Sequence, residues 1–253
     1  MQQIIPRNSP RRCTKVTNHA KSPTLCYASK FRLSFVVNYT KLSYSCCKVI
    51  PEKSYASTAQ FCFKRSKYSN FERYGMIHQI LNKLKQKEIE ELFTSVFTSS
   101  EGEKEGKLIG NLSAQLASNI DNNEIICFGS YKNKTLIASI FFSRLHFNQS
   151  IQVFMLAPVA VSTEHQGKGI GQALIKYGLN ALKNRAVDVA VTYGDPSFYS
   201  KVGFQAVSEN VIQAPLRLSM PFGWLGQSLT GKAIPAINER PVCVKAFNNP
   251  IYW

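Results

Sequence analysis

A mixed α/β domain with helices on both faces of a sheet is the fold class that the sequence predicts for residues 76–253, and three observations predict it. Two stretches with a helical apolar period follow a short apolar run near residue 77. Three strand-like runs come next in succession. A further helical stretch then opens at a glycine cluster and leads into another short buried run.

Ile77 to Ile80 reads as the first strand. Ile89, Leu92, Phe93, Val96 and Phe97 then recur at i, i+3, i+4, i+7 and i+8, the stripe of an amphipathic helix. Leu108, Leu112 and Leu116, widened by Ile109, give a second helix, and Asn122-Asn123 is the turn that ends it. Ile125 to Tyr131 and Thr135 to His146 read as strands joined at Lys132-Asn133-Lys134, a loop of hairpin length. Gln152 to Val161 is the next strand. After Gly167, Gly169 and Gly171 a helix runs to about Asn184, with Leu174, Ile175, Gly178, Ala181 and Leu182 on one face. Val187 to Tyr193 is a buried strand bounded by Gly194-Asp195-Pro196. A helical turn near Phe198–Val202 and further strands from Phe204 onward complete the sheet.

The net charge of +16 is unevenly spread: residues 1–75 hold 14 of the 31 basic residues and two of the 15 acidic ones, leaving a surplus of only +4 for residues 76–253. The basicity therefore belongs to an N-terminal block, and the remainder has the balance of an ordinary folded domain. Residues 1–75 are expected to be a poorly structured, Ser-rich extension: a targeting segment, a polyanion-binding arm, or translated sequence upstream of a start at Met76. Eleven aromatics in that block favour the third reading. No apolar run approaches the roughly 18–20 residues of a membrane-spanning helix, so no membrane partner is expected, and nucleic acid is expected only as a non-specific contact of residues 1–75. Cys127 and Cys243 read as reduced core thiols, and a cytoplasmic location follows, or an organellar one if residues 1–75 are a transit segment. No His/Cys spacing calls for a metal.

The segment that bears on chemistry is Leu156-Ala-Pro-Val-Ala-Val161, then Ser162 to His165, then Gln166-Gly-Lys-Gly-Ile-Gly171 opening a helix. Glycines allow a turn with φ > 0, and the amides of the next helix start, with its dipole and Lys168, form a place for an anion. The alternative is a purely structural glycine turn. A Walker loop fails because Gly169, not Ser or Thr, follows Lys168. A dinucleotide fingerprint fails on context: the loop follows a meander of strands, and Asp188 lies at the wrong end of the next strand.

The spacing Gln166-x-x-Gly169-x-Gly171 resembles the acetyl-coenzyme A loop of the GNAT-type N-acetyltransferases, and Tyr199-Ser-Lys-Val-Gly203-Phe204 resembles that family's Y-x-x-x-G-F element. Ala157-Pro-Val-Ala-Val161 and Gly194-Asp-Pro196 with Phe198-Tyr199 are most similar to its YhbS-like subgroup. The resemblance covers about residues 76–253 and implies a GNAT-like, mostly antiparallel central sheet. It implies acetyl transfer from acetyl-coenzyme A, as co-substrate, to a primary amine of a small molecule or protein. It further implies that Val159, Ala160 and Val161 hold the pantetheine arm, that Gln166, Gly167, Lys168, Gly169, Ile170 and Gly171 hold the pyrophosphate, and that Tyr199 is the general acid.

Other residues read more plainly. Pro158 fits either a lapse in the strand ladder beside the arm or a simple edge-strand proline. Tyr199 has the alternative of an aromatic core residue. Glu164 and His165 read as solvated connector residues, Asp195 as a helix cap and Cys127 as core rather than nucleophile. Phe222, Trp224, Phe247, Tyr252 and Trp253 either line an acceptor pocket or complete the core, and packing is the commoner use. A rival function from another class is a polyanion-binding or acyl-CoA-sensing protein acting through its basic arm.

Overall fold

The computed structural model describes residues 75–253; the expectations for the basic extension before Gly75 lie outside the described residues. The elements follow the order read from the sequence: β1 (Met76–Leu81), α1 (Gln86–Glu101), α2 (Glu103–Ser118), β2 (Ile125–Lys132), β3 (Thr135–Leu145), β4 (Val153–Val161), α3 (Ile170–Lys183), β5 (Val189–Tyr193), the short α4 (Pro196–Tyr199), β6 (Gln205–Ala206) and β7 (Trp224–Ser228). All seven strands lie in one sheet of order β1-β2-β3-β4-β5-β7-β6. Among these strands only β4 and β5 pair in parallel. A parallel neighbour needs a crossover connection, and α3 supplies it.

Helices cover both faces, as expected. The predicted stripe of α1 is the face it buries: Ile89, Leu92, Phe93, Val96 and Phe97. They share a core with Ile109, Leu112 and Leu116 of α2 and with one side of the sheet, including Cys127, Phe141, Met155 and Val191. The opposite side of the sheet, with Phe128, Ile140, Leu156 and Ala190, packs on Leu174, Ile175, Leu179 and Leu182 of α3. Leu179 takes the place in the α3 stripe expected for Ala181, which is only partly buried. Gly178 lies at the point of closest approach to the sheet, where a Cβ would press on the rings of Phe142 and Phe128. Asn133 and Lys134, both at positive φ, form the two-residue tip of the β2–β3 hairpin.

The alternation of β4 between the two cores slips once. Met155 and Ala157 face α1 and α2 while Leu156 faces α3, yet beyond Pro158 it is Val159 and Val161 that face α3 and Ala160 that faces α1 and α2. The slip coincides with a bulge against β3, where Ile140 pairs with Val159 and Phe142 with Leu156. The Ala157–Pro158 peptide bond is cis.

After Phe204 the chain departs from expectation. Strand structure there is limited to the two residues of β6 and the five of β7. The rest comprises short 3-10 turns, such as Lys245–Phe247 and Pro250–Tyr252, with isolated bridges joining Ile212 to Ile237 and His146 to Val242.

Candidate acyl-transfer site

Parallel pairing between β4 and β5 runs from Val153 opposite Val189 to Leu156 opposite Thr192, and there it stops. Beyond it β4 stays paired with β3, Val159, Ala160 and Val161 lying opposite Ile140, Ser139 and Ala138. Their other edge faces no strand among the described residues. Pro158, with no N–H, sits at the divergence, so the ladder lapses there as the sequence suggested. The Ser162 N–H donates to Ile137 C=O at 2.8 Å, which sets the pleat. Val161 and Val159, out of phase with that bond, direct their backbone groups into the fork. All nine residues of β4 are buried, and buried backbone groups require partners.

Gln166 supplies one of those partners. Its side-chain amide donates to Val161 C=O at 2.9 Å, fastening the start of the loop to the end of the strand. Gly167 and Gly169 then adopt φ of 71° and 75°, and a Cβ built on either meets nothing within 4 Å. The glycines therefore serve the left-handed backbone and leave an open cradle above it. The first intrahelical bond of α3 is from Ala173 N–H to Gly169 C=O at 3.0 Å, so the amides of Ile170, Gly171 and Gln172 lie ahead of it with no intrahelical acceptor. Lys168 is exposed, and its ammonium donates to Glu164 C=O at 2.7 Å, holding the charge beside the cradle. Burial lowers the pKa of His165, and Lys168 and Lys132 lower it further against the opposing effect of Glu164. His165 itself is partly buried and bonded through Nδ1 to Ser162 Oγ at 2.9 Å, while Glu164 is exposed.

Tyr199 lies under the fork on the α3 side, only 1% exposed, with the rings of Phe198 and Phe204 packed edge-on against it. Thr192, the last residue of β5 paired with β4, donates through Oγ1–H to Leu156 C=O at 2.8 Å. Burial, with Asp195 nearby, pushes the phenol up to about 12. Asp195 is the cap that was expected: its carboxylate accepts from Ser197 N–H at 2.8 Å and Ser197 Oγ–H at 2.6 Å, fixing the start of α4. Cys127 is core, its thiol pushed up to about 12 by burial.

Four of the five C-terminal aromatics are packing residues, and Phe222, 58% exposed, is the exception. Trp224 donates through Nε1 to Ile212 C=O at 2.9 Å and Trp253 to Phe247 C=O at 3.0 Å. Trp253 also stacks on Tyr193, the residue after Thr192, which brings this cluster to the α1/α2 side of the fork. Thr192 was missed from the sequence; the available signal was a threonine inside an otherwise apolar run.

Residues 120–206, which contain the fork, the glycine loop and Tyr199, match the family model for the acetyltransferase (GNAT) domain. Over that stretch the chain is similar to the GNAT acetyltransferases. The uncharacterized N-acetyltransferase YhbS of Escherichia coli K12 is 32% identical over 62 residues, 24% of this chain and 37% of that protein. The uncharacterized N-acetyltransferase YjhQ of the same strain is 29% identical over 108 residues, 40% of this chain and 59% of that protein. The chain thus matches less than two thirds of the length of either curated relative. The crystal structure of Escherichia coli YhbS, a complex with CoA, superposes with a TM-score of 0.50 at 20% identity over 62% of this chain and 82% of that one. A GNAT acetyltransferase of Staphylococcus aureus Mu50 gives 0.51 at 16% identity over 61% and 99%. Both superpositions bear out the GNAT fold, with its mostly antiparallel sheet.

Proposed function

We propose that the chain transfers an acetyl group from acetyl-coenzyme A to a primary amine of a small molecule or protein by direct attack on the thioester. The observation that carries this reading is the junction of an open β4–β5 fork with a glycine cradle on the N-terminus of α3. A pyrophosphate suits the amides of Gly167 to Gly171, with Lys168 adding charge and Gln166 fixing the loop. A pantetheine arm, rich in amides, suits the buried backbone groups of Val159 to Val161. The CoA bound by Escherichia coli YhbS, which shares the fold, supports the same choice of ligand.

The neutral amine attacks the carbonyl carbon, the new C–N bond forms, the C–S bond breaks, the amine loses a proton and the departing thiolate gains one. Backbone N–H groups in the fork suit the oxygen as negative charge develops on it. Tyr199 is the hydrogen-bond donor to the sulfur. With its phenol at about 12 and a thiol near 8.5, full transfer is uphill at neutral pH, so its contribution is a hydrogen bond to the thiolate before solvent supplies the proton. A cytoplasmic setting belongs to this proposal, supported by the two buried free thiols, Cys127 and Cys243.

The test is calorimetry of the full chain with CoA, followed by thiol release from acetyl-CoA with a panel of primary amines. Tyr199→Phe is expected to lower turnover by about 10²-fold while leaving CoA affinity unchanged. A folded parent that neither binds CoA nor releases thiol overturns the proposal; a Tyr199→Phe variant within a few-fold of the parent makes Tyr199 structural.

A further inference from the structure

Four of the six large apolar side chains exposed among the described residues gather at one edge of the sheet. Ile77 and Ile80 lie on β1, 64% and 43% exposed, Leu84 follows just beyond it at 92%, and Tyr177 of α3 has its ring 5.5 Å from that of His78. β1 is the outermost strand on that side, paired from Met76 to Leu81 with β2 alone and without a slip in register. The opposite edge is β6, only two residues long. Sheet edges are ordinarily blunted by short strands, charged residues, proline or a bulge. The β1 sequence, Met-Ile-His-Gln-Ile-Leu, contains no Lys, Arg, Asp, Glu or Pro. Its outward N–H and C=O groups are a template for one more strand.

Successive residues of a strand face opposite sides of the sheet. Leu81 is packed in the α1/α2 core and Met76 in the α3 core, so Ile77 and Gln79 share the first side with Leu81, and His78 and Ile80 share the second with Met76. Beside Ile77 lies a hollow of about 310 Å³, lined also by Gly75, Gln79, Tyr131, Lys85 and Lys134. The hollow adjoins the first half of β1, whereas Leu84, the most exposed of the four apolar side chains, stands past its last residue. A two-fold axis perpendicular to the sheet sets the end of one β1 against the start of another. Hollow and apolar projection, held at opposite ends of β1 in one copy, are then brought together twice across the axis. With the axis at Gln79, Ile77 stands opposite Leu81 of the second copy and His78 opposite Ile80, each pair on one side of the sheet as antiparallel pairing requires. Lys85, on the rim of the hollow, is ion-paired with Glu88 at 2.9 Å, which limits its repulsion of the second copy.

We propose that the β1 edge is a self-association surface, through which two copies of this chain pair antiparallel over residues 77–81 and join their sheets into one. The occupant is a second copy because the hollow and the apolar projection that meets it are both parts of this chain, related by the reversal that a two-fold axis imposes. The proposal is independent of acetyl transfer. β2 and β3 separate β1 from β4, so the contact lies away from the fork and the glycine cradle.

The experiment is sedimentation velocity of the full chain under reducing conditions. One strand pair with a few apolar side chains makes a small interface, so a reversible dimer is expected to form between about 1 and 100 μM. Ile77→Lys places a charge on the edge at an exposed side chain and is expected to raise the dimer Kd at least about tenfold, with the melting curve shifted by no more than a few degrees. Gln79→Cys tests the register: directly opposed residues have Cα atoms about 4.5–5.5 Å apart, within the span of a disulfide. After mild oxidation, mass spectrometry is expected to find a peptide linked to its own copy through position 79, and the parent treated alike marks the links made by native cysteines. A parent that stays monomeric throughout the range overturns the inference. So does a dimer whose Kd is unchanged by Ile77→Lys, or one in which position 79 does not link to itself. Slow hydrogen exchange along β1 in dilute monomer would show that the edge is already covered within one chain, and overturns it as well.

Discussion

Between Val153 and Lys183 the chain is shaped by local pattern: an apolar strand, a turn whose two loop glycines adopt positive φ, and a helix with one apolar face. Between Leu229 and Trp253 regular structure is limited to two 3-10 turns and isolated bridges, yet Phe247, Tyr252 and Trp253 are all buried. The first region forms the cradle and one arm of the fork, and the second walls the fork from the α1/α2 side. On the proposed function, the contrast reflects the different demands of the two ligands of a transferase. A pyrophosphate is met by backbone amides, which a spacing of glycines can set. The wall opposite is built by side chains arriving from distant positions, so its sequence is held to packing rather than to a motif.

If that division is right, the two regions fail in different ways. Phe247→Ala removes a fully buried ring that touches Tyr252 and Trp253, and it is expected to cost about 4 kcal/mol of stability. CoA affinity of the protein that remains folded should be unchanged, as chemical denaturation and calorimetry below the melting temperature would reveal. Gly169→Glu should do the reverse. Its side chain meets open space but brings an unfavourable left-handed residue and a negative charge into the cradle, weakening CoA by about 10²-fold. The melting temperature should move by only a few degrees, and a large stability loss with intact affinity would erase the distinction between cradle and wall.

The smallest effect concerns Tyr199, beneath the point where the regions meet. Its folded phenol, at about 12, holds its proton more tightly than the unfolded one near 10. The stability this contributes is complete below pH 10 and is lost as pH rises from 10 through 12, because the unfolded state ionises first. The parent should therefore lose about 1 kcal/mol relative to Tyr199→Phe by pH 11, measured as the difference between their unfolding curves. A constant difference from pH 8 to 11 would place the phenol in contact with water.

The same contrast governs how much could be read from the sequence. The stripe of α1 was legible residue by residue because a helix repeats its exposure every turn, and the hairpin was legible from its short loop. Gly167 and Gly169 marked the cradle because backbone geometry restricts which residue can stand there. The role of Gln166 was harder to read: its spacing identified the loop, but its bond to Val161 C=O depends on how the strand ends. Thr192 left only the faint mark of a hydroxyl in an apolar run, since its meaning comes from Leu156, 36 residues earlier in the chain. The stretch after Phe204 was overread as strands because buried aromatics and β-branched residues look alike whether a ladder or a set of turns holds them.

The slip in β4 at Ala157–Pro158 has a bearing on how this chain can change in length. A strand is a two-state counter, each residue reversing the side on which the next one lands, and the extra residue resets the count between Leu156 and Val159. Everything downstream, through Val161 to the Gln166 latch and the start of α3, is timed from that reset. Surface loops such as the one between Leu145 and Val153 can lengthen without disturbing that timing. A single residue gained or lost between Leu156 and Val161 would instead exchange the two cores for each other at the mouth of the fork, so the short run from Leu156 to Val161 is where relatives of this chain should tolerate substitutions but not insertions.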